Sequence, residues 1–400
     1  MVRQDNMNSI NEKTKIIAFH LPQFHTFPEN DKWWGKGFTE WTNTRKAKPL
    51  FEGHYQPHTP YKEDYYDLSD ITTMKRQIED AKKYGIYGFC FYHYWFTKGK
   101  TLMEKPIEDF LENKELDIHF CLSWANEPWT RRWNGGFKDV IMPQEYGNKM
   151  DWKMHFDYLL PYFKDKRYIY EDDMPMLLIY RPEIIPCFDE MIEYWQELAK
   201  EKGFKGLYIM AQGANFCAKR YSQRKKIKDN VNGYIMYEPG FTLALMLQTN
   251  PLYLMKNVIK YWDLARDYIP TKIKGICYRI LKMTPKKPIH VCDFSLIWNS
   301  ILKHECLDSF YPGAFANWDN TARRGLDARI ITGSTPEIFK EFFKKQCNRA
   351  VNEYKKNYIF FTAWNEWAEG SHLEADERYG FQYLEAVREV VMYEKKDIFK

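Results

Sequence analysis

The stretch Tyr358-Ile359-Phe360-Phe361-Thr362-Ala363-Trp364-Asn365-Glu366-Trp367-Ala368-Glu369-Gly370 runs from a short apolar segment straight into two carboxylates three residues apart. An uninterrupted apolar run of this length reads as a strand buried on both faces, the habit of parallel sheets. Similar runs recur at Ile16 to Leu21, Tyr87 to Tyr92, Ile118 to Ser123, Met176 to Tyr180, Leu207 to Ala211, Gly233 to Tyr237 and Pro312 to Ala316. Between them, segments such as Ile71 to Tyr84, Ile184 to Lys202 and Pro336 to Glu353 carry amphipathic helical spacing. Eight strands alternating with helices predict an α/β fold, a (β/α)8 TIM barrel.

A barrel of this kind collects its chemistry at the C-terminal ends of the strands. The first run is followed by Pro22, His25, Trp33, Trp34, Glu40 and Trp41, the second by His93, Tyr94 and Trp95, and the third by Trp124, Asn126, Glu127 and Trp129. Arg181, Gln212 and Glu238 follow the fourth, fifth and sixth; Trp318 and Asp319 follow the seventh; Asn365, Glu366 and Glu369 follow the eighth. Each has an ordinary explanation alone: His93 as an interior histidine, Arg181 as a helix-end partner, Glu366 and Glu369 as solvated acids at a helix N-terminus. Together they suit a sugar cleft. Cleaving or transferring a glycosidic bond needs one carboxyl group as proton donor and a second as base or nucleophile. Tryptophans beside an acid offer apolar faces to pyranose rings and raise its pKa by desolvation. Trp364 and Trp367 are expected to do both for Glu366.

The bulk composition agrees. The 400 residues are 44% hydrophobic and 28% charged, which suits a globular enzyme, and aromatics reach 18%, more than a core requires. Residues 1–400 are read as one catalytic domain, with residues 1–14 an N-terminal tail and residues 240–305 an insertion between strands six and seven. Tyr253 to Pro288 holds nine Lys or Arg against Asp263 and Asp267, although the whole chain has a net charge of only +5. Leu252, Met255, Ile259 and Trp262 share one helical face there, so peripheral contact with an anionic membrane is one expectation and an ordinary solvated face the other. No nucleic-acid motif accompanies this patch or Lys219 to Lys228, so no nucleic-acid partner is expected. Eight cysteines are scattered without a CxxC pair and read as reduced core residues. No metal and no cofactor are expected. Met1 to Lys15 has no apolar signal segment and no stretch is long enough to span a bilayer, which points to the cytoplasm, with the inner membrane as a possible docking surface.

The segment Asn365-Glu366-Trp367-Ala368-Glu369-Gly370 resembles the motif of glycoside hydrolase family 99, the endo-α-mannosidases and endo-α-mannanases, and of the WbsX-type proteins of bacterial surface-polysaccharide clusters. Phe19-His20-Leu21-Pro22-Gln23-Phe24-His25, Gly37-Phe38-Thr39-Glu40-Trp41 and Trp124-Ala125-Asn126-Glu127-Pro128-Trp129 resemble the WbsX-type pattern more closely. The likeness runs from about Lys15 to about Glu389. It implies a glycan-active enzyme of surface-polysaccharide (lipopolysaccharide O-antigen or capsule) metabolism. By this resemblance Glu366 deprotonates the sugar 2-hydroxyl and Glu369 protonates the leaving group and later activates water, a retaining route through a 1,2-anhydro sugar. The hydrolases commonly carry His where this chain has Ala368, and His372 is the candidate to replace it. The remaining candidates to line the cleft are Trp41, Tyr92, His93, Trp124, Asn126, Glu127, Arg181, Tyr237, Trp318, Asp319 and Asn365, around an oligosaccharide or polysaccharide.

Two other functions fit the sequence. A nucleotide-sugar glycosyltransferase of O-antigen biosynthesis needs a phosphate or metal site; the nearest DxD-like run, Glu171-Asp172-Asp173, precedes the fourth strand, and no GxGxxG loop is present. A non-catalytic glycan-binding protein would be indicated if the two acids lay far apart or if either were buried in a salt bridge with lysine or arginine.

Overall fold

A computed structural model of the chain describes residues 14–130, 140–223, 230–249 and 290–392. Eight strands form the barrel: β1 (Lys15–His20), β2 (Ile86–Trp95), β3 (His119–Trp124), β4 (Met174–Ile179), β5 (Tyr208–Ala211), β6 (Gly233–Ile235), β7 in two pieces (Phe310–Tyr311 and Gly313–Phe315) and β8 (Tyr358–Thr362). Each strand pairs in parallel with the next, and β8 returns to pair with β1 through Lys15 and Tyr358, Ile16 and Ile359, Ile17 and Phe360, and Ala18 and Phe361. All eight apolar runs are strands.

The seventh is divided for a physical reason. Pro312 has no N–H for the ladder, so the first piece pairs with β6 and the second with β8. The Pro312 carbonyl still accepts the Phe360 amide at 3.1 Å. Gly313 follows because the backbones touch there: a Cβ would fall 1.7 Å from the Met236 carbonyl oxygen. β2 runs further than its apolar stretch, since Tyr94 and Trp95 pair antiparallel with Leu102 and Thr101.

Ile16, Ile17, Ala18 and Phe19 are all fully buried, as strands covered on both faces require. Phe89, Phe120, Leu177, Ile209 and Phe360 continue that core. The helix Ile71–Lys83 starts where the Asp70 carboxylate accepts the Thr72 amide, and it buries Met74, Ile78 and Ala81. The helix expected from Ile184 begins only at Phe188, because Pro186 holds Ile185 extended and leaves a short 3-10 turn, Pro182–Ile184, before it.

Of the expected insertion, the helices Gly240–Thr249 and Phe294–Ile301 and the strand His290–Asp293 are seen. The basic segment Tyr253 to Pro288, with its Leu252, Met255, Ile259 and Trp262 face, lies outside the described residues. Among the described residues no helix is long and apolar enough to cross a membrane.

Candidate active site

The end of β8 is held to the end of β1. Asn365 Oδ1 accepts the Leu21 amide at 2.7 Å and Asn365 Nδ2 donates to the Leu21 carbonyl at 3.0 Å, so this side chain imitates a strand neighbour where the ladder has ended. Asn365–Glu366 then pairs antiparallel with Ser371–His372 around a single turn, Trp367–Glu369. Gly370 closes it with φ +57°, and a Cβ there would lie 2.9 Å from the Asp319 amide, so the turn seats directly against the exit of β7.

Trp364 and Trp367 do not offer faces to a sugar. Each is 1% exposed, and their indole N–H groups donate to the Glu374 carboxyl at 3.1 and 2.7 Å. Tyr66 and Gln77 also donate to it, at 2.7 and 2.6 Å. Glu366 is nonetheless desolvated by burial.

Glu366 is 5% exposed. Burial pushes its carboxyl up to about 8, the nearby Glu369 charge and a hydrogen bond with Glu369 push the same way, and Arg323 opposes them. Its Oε1 accepts the Tyr237 hydroxyl at 3.2 Å. Behind Tyr237 lies a one-way series of donors: Ser123 Oγ to Gln212 Oε1 at 2.5 Å, Gln212 Nε2 to the Tyr92 hydroxyl at 3.2 Å, and Tyr92 to Tyr237 at 3.1 Å. Burial and the Glu366 charge raise both phenols, which keeps them protonated and able to donate.

Glu369 has a different environment. Its side chain is 18% exposed, and Arg323 Nη1 donates to its Oε1. Arg323 Nη2 donates to Glu40 Oε1 at 2.6 Å, and Glu40, fully buried, also accepts the Ala368 amide at 3.3 Å. Two carboxyl groups therefore share one guanidinium, and Glu366 feels its charge without bonding to it. Burial outweighs that charge, so Glu366 holds its proton.

The other expected residues divide by strand parity, since successive side chains point to opposite faces. Tyr92 faces the barrel interior, and so His93 faces out: it sits beneath the helix Lys149–Phe163, bonded to His155 at 2.9 Å and stacked on Tyr158. Trp124 likewise faces the helices, edge-on to His155, with its N–H on the Trp95 carbonyl. These two are packing residues. Asn126 is buried and clasps the Arg181 backbone, with Nδ2 on the carbonyl at 2.9 Å and Oδ1 on the amide at 2.8 Å. Arg181 pairs with Glu127 at 2.6 Å on the partly exposed rim. Trp41 lies behind Trp367, with its N–H on the Tyr66 carbonyl. Trp318 is partly buried, while Asp319 accepts His54 at 2.6 Å and Gln56 at 2.7 Å. His372 is sealed against Trp367, ring centroids 3.7 Å apart, and its Nδ1 meets the Glu374 carbonyl at 3.0 Å, so it does not stand in for the imidazole absent at Ala368. Glu238 lies buried and bonded to Thr242, away from the acids.

Arg323 and Tyr180 near the acids escaped the sequence reading, and Tyr94, noted at a strand exit, was not among the expected cleft residues. Arg323 lies four residues past Asp319 in a four-residue helix, Thr321–Arg324, with no pattern to mark it. Tyr94 and Tyr180 both feel the Glu366 charge, and parity with Tyr92 marks Tyr94 as inward-facing. Tyr94 stands edge-on to Trp129, which meets Trp33 at 5.6 Å, so an aromatic edge leads away from the acids across the exits of β1 to β3.

A closed parallel barrel of eight strands, with two adjoining carboxyl groups at its C-terminal mouth, is a (β/α)8 TIM barrel. The chain is a member of the family described as glycosyltransferase WbsX, whose model matches residues 16–387. It is similar to the uncharacterized protein WxcX of two strains of Xanthomonas campestris pv. campestris, with 32% identity over 382 residues, 94% of this chain and 49% of each relative. The chain thus spans about half the length of the curated relatives it matches. Among solved structures, a glycoside hydrolase-like protein superposes with TM-score 0.54 at 12% identity, covering 96% of this chain and 95% of that one. The family 99 endo-α-mannosidase of Bacteroides thetaiotaomicron superposes with TM-score 0.51 at 12% identity, covering 94% and 96%. These share the fold.

Proposed function

We propose that this chain cleaves or transfers glycosidic bonds of a bacterial surface oligosaccharide or polysaccharide, in O-antigen or capsule metabolism, through Glu366 and Glu369. The observation that carries the reading is the unequal pair: one acid buried and bonded to a phenol, the other partly exposed and held by a guanidinium, at the mouth where barrel enzymes work. Glu366 enters the cycle protonated and delivers its proton to the leaving oxygen. Glu369, held by Arg323, takes the proton of the sugar 2-hydroxyl as that oxygen bonds to the anomeric carbon and the bond to the leaving oxygen breaks; Glu366, now deprotonated, then takes a proton from the water or acceptor hydroxyl that opens the 1,2-anhydro sugar, and Glu369 returns its proton to the 2-oxygen. These roles are the reverse of those the family resemblance implies. The ion pair on Glu369, which would count against catalysis had it buried the acid, leaves it partly exposed. A family name in transfer chemistry and a hydrolase-like acid pair agree if an acceptor sugar replaces water.

A nucleotide-sugar donor fits less well. Near the acids the guanidinium of Arg323 already serves Glu369 and Glu40, which is a poor setting for a diphosphate. Glu171 sits at the opposite end of the barrel, paired next to the start of β4 and bonded to Tyr311. The test is turnover of α-mannans and of fragments of the producing cell's surface glycan. Glu366→Gln and Glu369→Gln each remove it if the reading is right; full turnover in either variant sinks the assignment. Tight, metal-dependent calorimetric binding of a nucleotide sugar would move the reading to transferase chemistry.

A further inference from the structure

The segment from His54 to His58 threads between the exits of β7 and β8. His54 and Gln56 reach Asp319, while His58 turns the other way, and its Nδ1 lies 2.9 Å from His372 Nε2. Asp376 lies beside this pair. One nitrogen of each histidine and a carboxylate oxygen of Asp376 all fall within 4.8 Å of one another, and all three residues are buried.

The tautomers can be worked out. His372 Nδ1 faces the Glu374 carbonyl, which can only accept, so Nδ1 carries the proton and Nε2 presents a lone pair toward His58. A ligating histidine normally has this second partner, a carbonyl that fixes the ring and its tautomer. Trp367 stacks flat on the His372 ring at 12° and fixes its plane. Tyr379 N–H donates to Asp376 Oδ1 at 2.7 Å and the Tyr55 hydroxyl also lies against this carboxylate, which together orient it.

We propose that His58 Nδ1, His372 Nε2 and the Asp376 carboxylate form a structural site for a divalent transition-metal ion of the zinc type. Two imidazoles and a carboxylate are a ligand set for such ions, whereas calcium and magnesium prefer oxygen alone. On binding, the proton on His58 Nδ1 moves to its Nε2, so the imidazole stays neutral and both facing nitrogens present lone pairs to the cation. The charges around the site bear on it in both directions: Asp319 favours a cation, and Arg378 and a protonated His54 oppose it. The ion would tie residues 54–58 to the hairpin that carries Glu366 and Glu369. His372 and Asp376 lie on one short stretch of chain, but His58 is 314 positions from His372, so no spacing motif announces the set.

The site does not rest on the proposed acid pair, and its test reads no turnover. The full chain is stripped with a chelator, then titrated with Zn2+ by calorimetry and melting, and with Co2+ by visible absorption. One ion per chain, a raised Tm in Zn2+ and a Co2+ ligand-field spectrum are expected. His58→Gln and Asp376→Asn should weaken binding by more than the roughly 10–100-fold that loss of an outer-shell partner costs. Failure of the wild-type chain to take up either ion overturns the proposal even if both variants misfold, and so does unchanged binding in folded variants.

Discussion

Arg323 gives one guanidinium nitrogen to Glu369 and the other to Glu40, so a fully buried carboxylate and a cleft carboxylate depend on one cation. Removing the cation in Arg323→Met leaves Glu40 with no counter-ion in a low-dielectric position. Breaking a buried pair from one side costs about 3–5 kcal/mol. The variant should unfold at lower urea by that order. Adding Glu40→Gln removes the stranded charge, so the double variant should be more stable than Arg323→Met alone. If the two effects simply add, Glu40 and Arg323 are not coupled as the geometry requires.

The proton on Glu366 sets a pH dependence. A carboxyl raised to about 8 in the folded protein holds its proton below that pH and loses it above. Activity that needs Glu366 as a proton donor therefore falls as pH rises through about 8. The same shift favours the folded state at low pH, and its contribution is lost between 4.5 and about 8. Glu369 is the second cause of the shift, so Glu369→Gln should move the Glu366 titration downward, toward 4.5, read by 13C-NMR of labelled glutamate. An unmoved titration would mean that the two acids do not share a proton.

The order of roles is open to a leaving-group test. A residue that protonates the departing oxygen becomes dispensable when the leaving group departs as an anion. With activated aryl glycosides Glu366→Gln should recover at least about tenfold relative to its rate on natural glycan, and Glu369→Gln should not. Recovery by Glu369→Gln alone would restore the roles implied by the family resemblance.

Much of the barrel could be read in advance because each strand is apolar on both faces and each exit carries polar groups. The site was less legible, for physical reasons visible in single residues. His93 and Trp124 were assigned to the cleft because they follow a strand, but alternation turns them toward the helices and leaves Tyr92 and Tyr94 inside. Trp364 and Trp367 look like sugar platforms in sequence, yet four donors converging on Glu374 draw them into the core. Arg323 and His58 act through partners 46 and 314 positions away, a relationship that local periodicity does not encode.

The donor series ending on Glu366 makes a separate prediction. Ser123, Gln212, Tyr92 and Tyr237 each donate to the next, so removing the last hydroxyl leaves Glu366 Oε1 without its donor and Tyr92 without its acceptor. Each such loss costs about 1–3 kcal/mol in a buried site. Tyr237→Phe should lower kcat roughly 10- to 100-fold, by letting the Glu366 carboxyl turn from its productive orientation, with a smaller effect on KM. Ser123→Ala, at the far end, removes a donor but no contact with Glu366, and its effect should be mainly on Tm. Equal losses of kcat in the two variants would mean that the series stabilises the barrel interior and does not orient the acid.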